Sequence, residues 1–311
     1  MRGRKLNFKG KVVLALLFTL IVVVLAGLVG KGEKMSAKDK GKDAHAVSLS
    51  TLSFSPAPTT AFAGSPLYKS MIEQQRQKKE AERQKEVAKQ NEKDLKENAI
   101  YLTFDDGPSS AANQLLDLLE AYQMKATFFM LGPRIKEHPV VVKRMYKNGN
   151  GLALHGITHK ARAIYSSTSA PLHEMAEDQR ILENVTGVKS YMVRLPYGSI
   201  PYLTDEMRDL LDKNGFHIWD WNVDSSDWEL KDARYVQYTI QQIRQKKQAG
   251  ETPVILLHDK PETVKYLPKL LKFIKKQGYK TKVLTNETPA VTFPCGGRCH
   301  PIRHPVETGR R

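Results

Sequence analysis

An α/β fold built on a parallel sheet is the architecture predicted for residues 97–284, and two observations predict it. Short apolar runs of strand length alternate with amphipathic stretches of helix length, and parallel strands require such long connections. Acids and imidazoles fall at the carboxyl ends of the predicted strands, where α/β barrels assemble sites from separate loops. A barrel and an open doubly wound sheet both satisfy this pattern.

The elements preceding this region are of a different kind. Residues 1–11 form a basic segment containing Arg2, Arg4, Lys5, Lys9 and Lys11. Residues 12–30, VVLALLFTLIVVVLAGLVG, are uncharged and long enough for a helix to cross about 30 Å of hydrocarbon. This reads as a transmembrane anchor with a cytoplasmic N-terminus and the rest of the chain outside. A cleaved signal segment, leaving a secreted protein, is the alternative, although no convincing A-x-A site stands near Gly30. Residues 31–68 are rich in Ser, Thr, Pro, Ala and Lys and read as a flexible linker. Residues 69–96 contain strong helix formers, mixed charges and no Gly or Pro, which predicts a solvated helical spacer.

From residue 97 the strands AIYLTF, ATFFML, GLALH, YMVRLP, FHIWDWNV, TPVILLH and YKTKVL are expected in that order. Between them stand helices at HPVVVKRMYKNG, Pro171 to Val185, TDEMRDLLDKNG, ARYVQYTIQQIRQKK and ETVKYLPKLLKFIKKQG, with another starting at Ser109, whose hydroxyl is suited to cap it. Residues 285–311 have no period and are expected to be a mobile tail. Its Cys295 and Cys299 are open to a short disulfide or, with His300 and His304, a metal clip.

The chain's formal charge is +16, and residues 1–99 carry nineteen Lys/Arg against ten Asp/Glu, so +9 of it lies there. Basic residues beside an apolar segment suit anionic lipid or an anionic cell wall. No nucleic-acid-binding motif accompanies them, so a nucleic-acid partner is not expected.

His155 and His159 are four residues apart, a spacing at which two imidazoles can reach one ion, and His is a favoured ligand of zinc and related cations. Alone this signal is weak. Asp105 and Asp106 place adjacent carboxylates at a Gly-Pro turn; a cation that takes one leaves the other free for proton work.

Five motifs follow one another: Thr103-Phe104-Asp105-Asp106-Gly107, His155-x-x-x-His159, Arg194-Leu195-Pro196-Tyr197, Asp224-Ser225-Ser226-Asp227-Trp228 and Leu256-Leu257-His258. In this order they resemble those of the polysaccharide deacetylases, the carbohydrate esterase family 4 or NodB-homology enzymes. Membrane-anchored peptidoglycan N-acetylglucosamine deacetylases of Gram-positive bacteria are the most similar kind. The resemblance implies a distorted (β/α)7 barrel. It implies that Asp106, His155 and His159 hold a divalent metal, zinc first and cobalt or another ion as alternatives. It also implies Asp105 as catalytic base, His258 as catalytic acid, Arg194 as the residue that holds the base, and Asp224 as the acid that pairs with the catalytic His. The backbone amide of Tyr197 would help bind the oxyanion, Trp228 and Leu256 would wall the acetyl pocket, and Pro196 stands where some members carry a hydroxylated proline. One departure is Gly156, where the family generally has a Ser or Thr that supports the loop; metal binding is expected to survive it.

The implied activity is hydrolysis of the N-acetyl group of an amino sugar in a cell-wall glycan, and a monomer is expected. The sequence does not separate N-acetylglucosamine from N-acetylmuramic acid, chitin-like chains or acetylxylan. Two rivals are a glycoside hydrolase pairing Asp105 with Asp224 or Asp227, in which the His pair has no purpose, and a catalytically silent wall-binding module.

Overall fold

The computed structural model describes residues 65–302. The basic segment, the expected transmembrane anchor and most of the expected linker lie outside the described residues. Among the described residues no helix is long and apolar enough to cross a membrane.

The sheet is parallel throughout, with strand order β5-β4-β3-β2-β1-β7-β6. Its strands are β1 (Ala99–Gly107), β2 (Thr127–Leu131), β3 (Gly151–Gly156), β4 (Met192–Val193), β5 (His217–Ile218), β6 (Val223–Asp224) and β7 (Val254–His258), while β8 (Lys280–Lys282) pairs with the start of β1. The order ends at β5 on one side and β6 on the other, so seven strands curl into an incompletely closed, distorted barrel. β1 is central because its run AIYLTFDDG is almost wholly buried and so tolerates neighbours on both edges.

Alternation along the strands makes two cores. Ile100, Leu102 and Phe104 face the outer helices and join the large apolar cluster with Phe128, Leu154 and Leu257. Tyr101, Phe129, Ala153, Met192 and Val254 point the other way and form the barrel interior with Trp219. The crossover helices are α2 (Ala112–Tyr122), α4 (Pro139–Lys147), α6 (Ala170–Thr186), α7 (Asp205–Lys213), α9 (Arg234–Gln248) and α10 (Pro261–Lys276). Short helical turns α3 (Gly132–Glu137), α5 (Ala161–Ile164) and α8 (Asp227–Leu230) lie between them. α7 is capped as its sequence predicts, the Thr204 hydroxyl facing the Met207 N–H.

Four expectations are corrected. Ser109 is not the cap of α2: Ala111 holds that position without a side-chain bond, while the Ser109 hydroxyl donates to Asp259. FHIWDWNV is not one strand. It breaks at Trp219 because the Arg194 guanidinium takes the carbonyls of Trp219 and Asp220, which then leave the ladder.

The spacer is a helix, α1 (Pro66–Lys96, 31 residues), but it does not stand free of the domain. Arg76 and Lys79 pair with Asp209 and Asp212 of α7, and Arg83 donates to the Ala290 carbonyl. Asn91 bonds Thr252 and Gly250, and Asp94 accepts from the Tyr101 hydroxyl and Lys282. Polar docking leaves no apolar stripe for a sequence reading to find.

Nor is residues 285–302 a loose tail. Ala290 is buried in the barrel interior, the Phe293 N–H donates to Asp220, and the Asp220 N–H donates to the Val291 carbonyl. Cys295 and Cys299 are joined as a disulfide, and the His300 N–H donates to the Pro201 carbonyl.

Candidate active site

The parallel register places the chemistry at one rim. Asp105 of β1 lies level with His258 of β7 and with Phe129 of β2, and Leu154 of β3, the residue before His155, lies level with Val193, the residue before Arg194. Residues far apart in sequence thus meet because the strands end together.

Asp105 and Asp106 are adjacent yet separated in role by backbone geometry. Asp105 is 3% exposed and points inward, where its Oδ1 accepts from Arg194 Nη1 at 2.8 Å. Arg194 is itself fully buried. Its guanidinium lies over the Phe129 ring at 4.0 Å and also donates to the Thr103 hydroxyl at 2.7 Å. A φ of +70° at Asp106 turns the next carboxylate out to the rim. Gly107 follows because a Cβ there would sit 2.5 Å from Asp259 Oδ2, the carboxylate that ties down Ser109.

Asp106 Oδ1 approaches His155 Nε2 at 3.5 Å and His159 Nε2 at 3.1 Å, and these three atoms lie within 4.8 Å of one another. His155 Nδ1 lies 2.7 Å from the Arg194 carbonyl. A carbonyl only accepts, so Nδ1 carries the proton and Nε2 presents a lone pair. Asp106 Oδ1 is buried without a hydrogen-bond partner. The His155 Nε2 lone pair and the partnerless Asp106 Oδ1 thus face one point together with His159 Nε2, an arrangement that one divalent cation resolves, and two imidazoles with a carboxylate suit zinc and its neighbours.

His258 stands level with Asp105 on the neighbouring strand and feels the charges of both Asp105 and Asp106. Its Nδ1 bonds Asp227 Oδ1 at 2.8 Å, and its N–H donates to Asp227 Oδ2 at 2.8 Å. The same carboxylate accepts from the hydroxyls of Ser225 and Thr263. Burial disfavours ionisation of Asp227, but the His258 hydrogen bond and charge, with Thr263, outweigh it and hold the acid below its ordinary range. Burial likewise disfavours a charged His258, and the hydrogen bond and charge of Asp227 override it and raise the imidazole.

Asp224 is thereby corrected: it does not pair with His258. Its carboxylate accepts from the Ser226 N–H at 2.9 Å and its backbone is held by Gln242, so it shapes the turn that returns Asp227 beneath His258. Among the remaining expected residues, Tyr197 has φ +70°, packs tilted against the His159 ring with centroids 5.1 Å apart and donates to the His159 carbonyl. The Pro196 carbonyl accepts from the buried Tyr165 hydroxyl. Leu256 is buried in β7, and Trp228 is half exposed on α8.

Sequence reasoning missed several supports. Lys260 Nζ lies 3.0 Å from Asp106 Oδ2. Asp178 of α6 accepts the N–H groups of His155 and Gly156; its complete burial pushes its carboxyl well above the usual range, offset only in part by those two bonds. Amphipathic spacing on α6 marks apolar positions and gives no sign of an inward acid. A groove of about 510 Å³ lined by Asp106, Ser109, Arg134, His159 and Lys260 leads to the site. A cavity of about 390 Å³ between α1 and residues 288–294 contains none of these side chains.

The comparisons agree with this geometry. Residues 92–219 match the family model of polysaccharide deacetylase. The chain is 44% identical over 197 residues to the putative polysaccharide deacetylase YheN of Bacillus subtilis, covering 63% of this chain and 70% of that protein. It is 37% identical over 192 residues to a peptidoglycan-N-acetylglucosamine deacetylase of Bacillus cereus, covering 60% and 70%. The crystal structure of a polysaccharide deacetylase from Bacillus cereus superposes with a TM-score of 0.54 at 36% identity, over 61% of this chain and 93% of that one. With two thirds or more of those relatives covered and the motif residues gathered at one rim, the chain belongs to the polysaccharide deacetylase family.

Proposed function

We propose that this chain removes the N-acetyl group from N-acetylglucosamine in peptidoglycan, releasing acetate, with zinc held by Asp106, His155 and His159. The observation that carries the reading is the convergence of those three ligand atoms at the rim where Asp105 and His258 lie level on neighbouring strands. A divalent cation there supplies polarisation of the amide carbonyl and a lowered pKa for water. The protein does the rest. Asp105, its Oδ1 fixed by Arg194, keeps Oδ2 directed toward His155 Nε2, 4.0 Å away, where it takes the proton of the attacking water. The Tyr197 amide binds the carbonyl oxygen as it gains charge. His258, with Nδ1–H committed to Asp227, delivers a proton from Nε2 to the departing sugar amine. Trp228 and Leu256 flank the acetyl group.

The substrate assignment rests on the likeness to relatives named for N-acetylglucosamine in peptidoglycan, together with the cationic N-terminal third. Residues 12–30 anchor the enzyme in the membrane with its catalytic domain outside the cell, a reading supported by their uncharged length. The test is acetate release from peptidoglycan, with mass spectrometry of muropeptides to locate the free amine on glucosamine. Chelation is expected to abolish release and zinc or cobalt to restore it. A rate indifferent to chelation sinks the metal mechanism, and loss of acetyl from muramic acid alone sinks the substrate.

A further inference from the structure

The loop that carries His155 and His159 is held from behind by two carboxylates of α6 that the chemistry above does not use. Asp178 Oδ2 accepts the N–H groups of His155 at 2.9 Å and Gly156 at 2.8 Å. One turn earlier, Glu174 Oε2 accepts those of Ile157 at 2.7 Å and Thr158 at 2.9 Å, and its Oε1 takes the Thr158 hydroxyl at 2.6 Å. Four consecutive backbone N–H groups, from 155 to 158, therefore end on two side chains spaced i, i+4 on one helix face. Gly156 fits this clamp. Its φ is +94°, and a Cβ there would lie 3.0 Å from Glu174 Oε2 and 3.2 Å from Met175 Cε. The loop hydroxyl absent at 156 is supplied two residues on by Thr158, and Glu174 receives it.

We infer that Glu174 and Asp178 are positioning residues that fix the separation of His155 and His159 and thereby set the affinity for the divalent cation. They act as hydrogen-bond acceptors rather than as charges. The inference rests on the reading of Asp106, His155 and His159 as a cation site. Outer groups that orient ligands in this way are typically worth 10–100-fold in metal affinity.

The experiment is a zinc competition titration of the full chain against a chromophoric chelator, with melting of the metal-free protein followed in parallel. Glu174→Ala is expected to weaken zinc binding by roughly 10–100-fold while the metal-free protein stays folded. Glu174→Gln keeps an oxygen for Ile157 and Thr158 and is expected to stay within about 3-fold of wild type. Should Asp178→Ala fail to fold, the Glu174 pair decides. Zinc binding by Glu174→Ala as tight as wild type overturns the clamp, and a Gln variant as weak as the Ala variant overturns its acceptor basis. Acetate release by wild type, measured alongside, separates the two readings. Release with an unaffected Glu174→Ala titration overturns the clamp alone, whereas weakened zinc binding without any release by wild type upholds the clamp and overturns the deacetylase assignment.

Discussion

At the scale of single residues, the two acids of Asp224-Ser225-Ser226-Asp227 divide the work, and pH dependence distinguishes them. A general acid works only while protonated, so the rate falls as pH climbs through the pKa of His258. Asp227 holds that pKa above its ordinary value against the lowering effect of burial. Asp227→Asn removes the charge that favours imidazolium, so the alkaline limb of kcat/KM is expected at lower pH, with neutral-pH turnover down by roughly 10–100-fold. Asp224→Asn, which keeps an oxygen for the Ser226 N–H, is expected to leave the limb in place. A limb that moves with Asp224 instead restores the pairing expected from the motif. The residues proposed as metal ligands, base and acid were legible because they stand in recognisable motifs at or just past strand ends. The partner of the acid was not, since both aspartates lie in one motif and only the left-handed turn at Ser226, φ +52°, decides which returns to His258.

At the scale of elements, periodicity located the strands and crossover helices wherever burial is one-sided, and failed where polar groups govern the path. FHIWDWNV has the residues of a strand, yet Arg194 claims two of its carbonyls, and no propensity anticipates a buried guanidinium from just beyond β4. The same blindness applies to α1, whose seat on the domain is made by side-chain hydrogen bonds and ion pairs. These contacts should differ in weight. Lys79 and Asp212 are both substantially exposed, so Lys79→Ala is expected to change stability by less than about 0.5 kcal/mol. Asn91 bonds the Thr252 N–H and the Gly250 carbonyl with one side chain, and Asn91→Ala is expected to cost about 1–2 kcal/mol. Denaturant unfolding of the two variants checks the order; equal losses would mean that charge rather than hydrogen-bond satisfaction seats the helix.

At the scale of the whole molecule, the span 97–284 holds every motif residue, but it is not the whole folded body. Ala290 packs in the interior cluster with Trp219, Phe293 packs on Trp221, and α1 ties Arg83 to Ala290 and Asp94 to Tyr101. Chain outside the motifs thus closes the floor of a barrel whose rim does the chemistry. A chain cut to 97–284 loses those contacts and exposes Trp219 and Tyr101 to water. Uncovering apolar side chains costs roughly 1.5–3 kcal/mol each when complete, and about 1 kcal/mol shifts the melting point by roughly 2–4 °C in a domain of this size. Residues 97–284 are therefore expected to melt roughly 5–15 °C below residues 65–302, with zinc affinity per folded molecule unchanged, because the ligands and their α6 supports are retained. Differential scanning calorimetry of the two lengths, each with and without zinc, separates these effects. Equal melting points would show that the floor carries no stability. A loss of zinc affinity in the short chain would show instead that floor and rim are mechanically coupled.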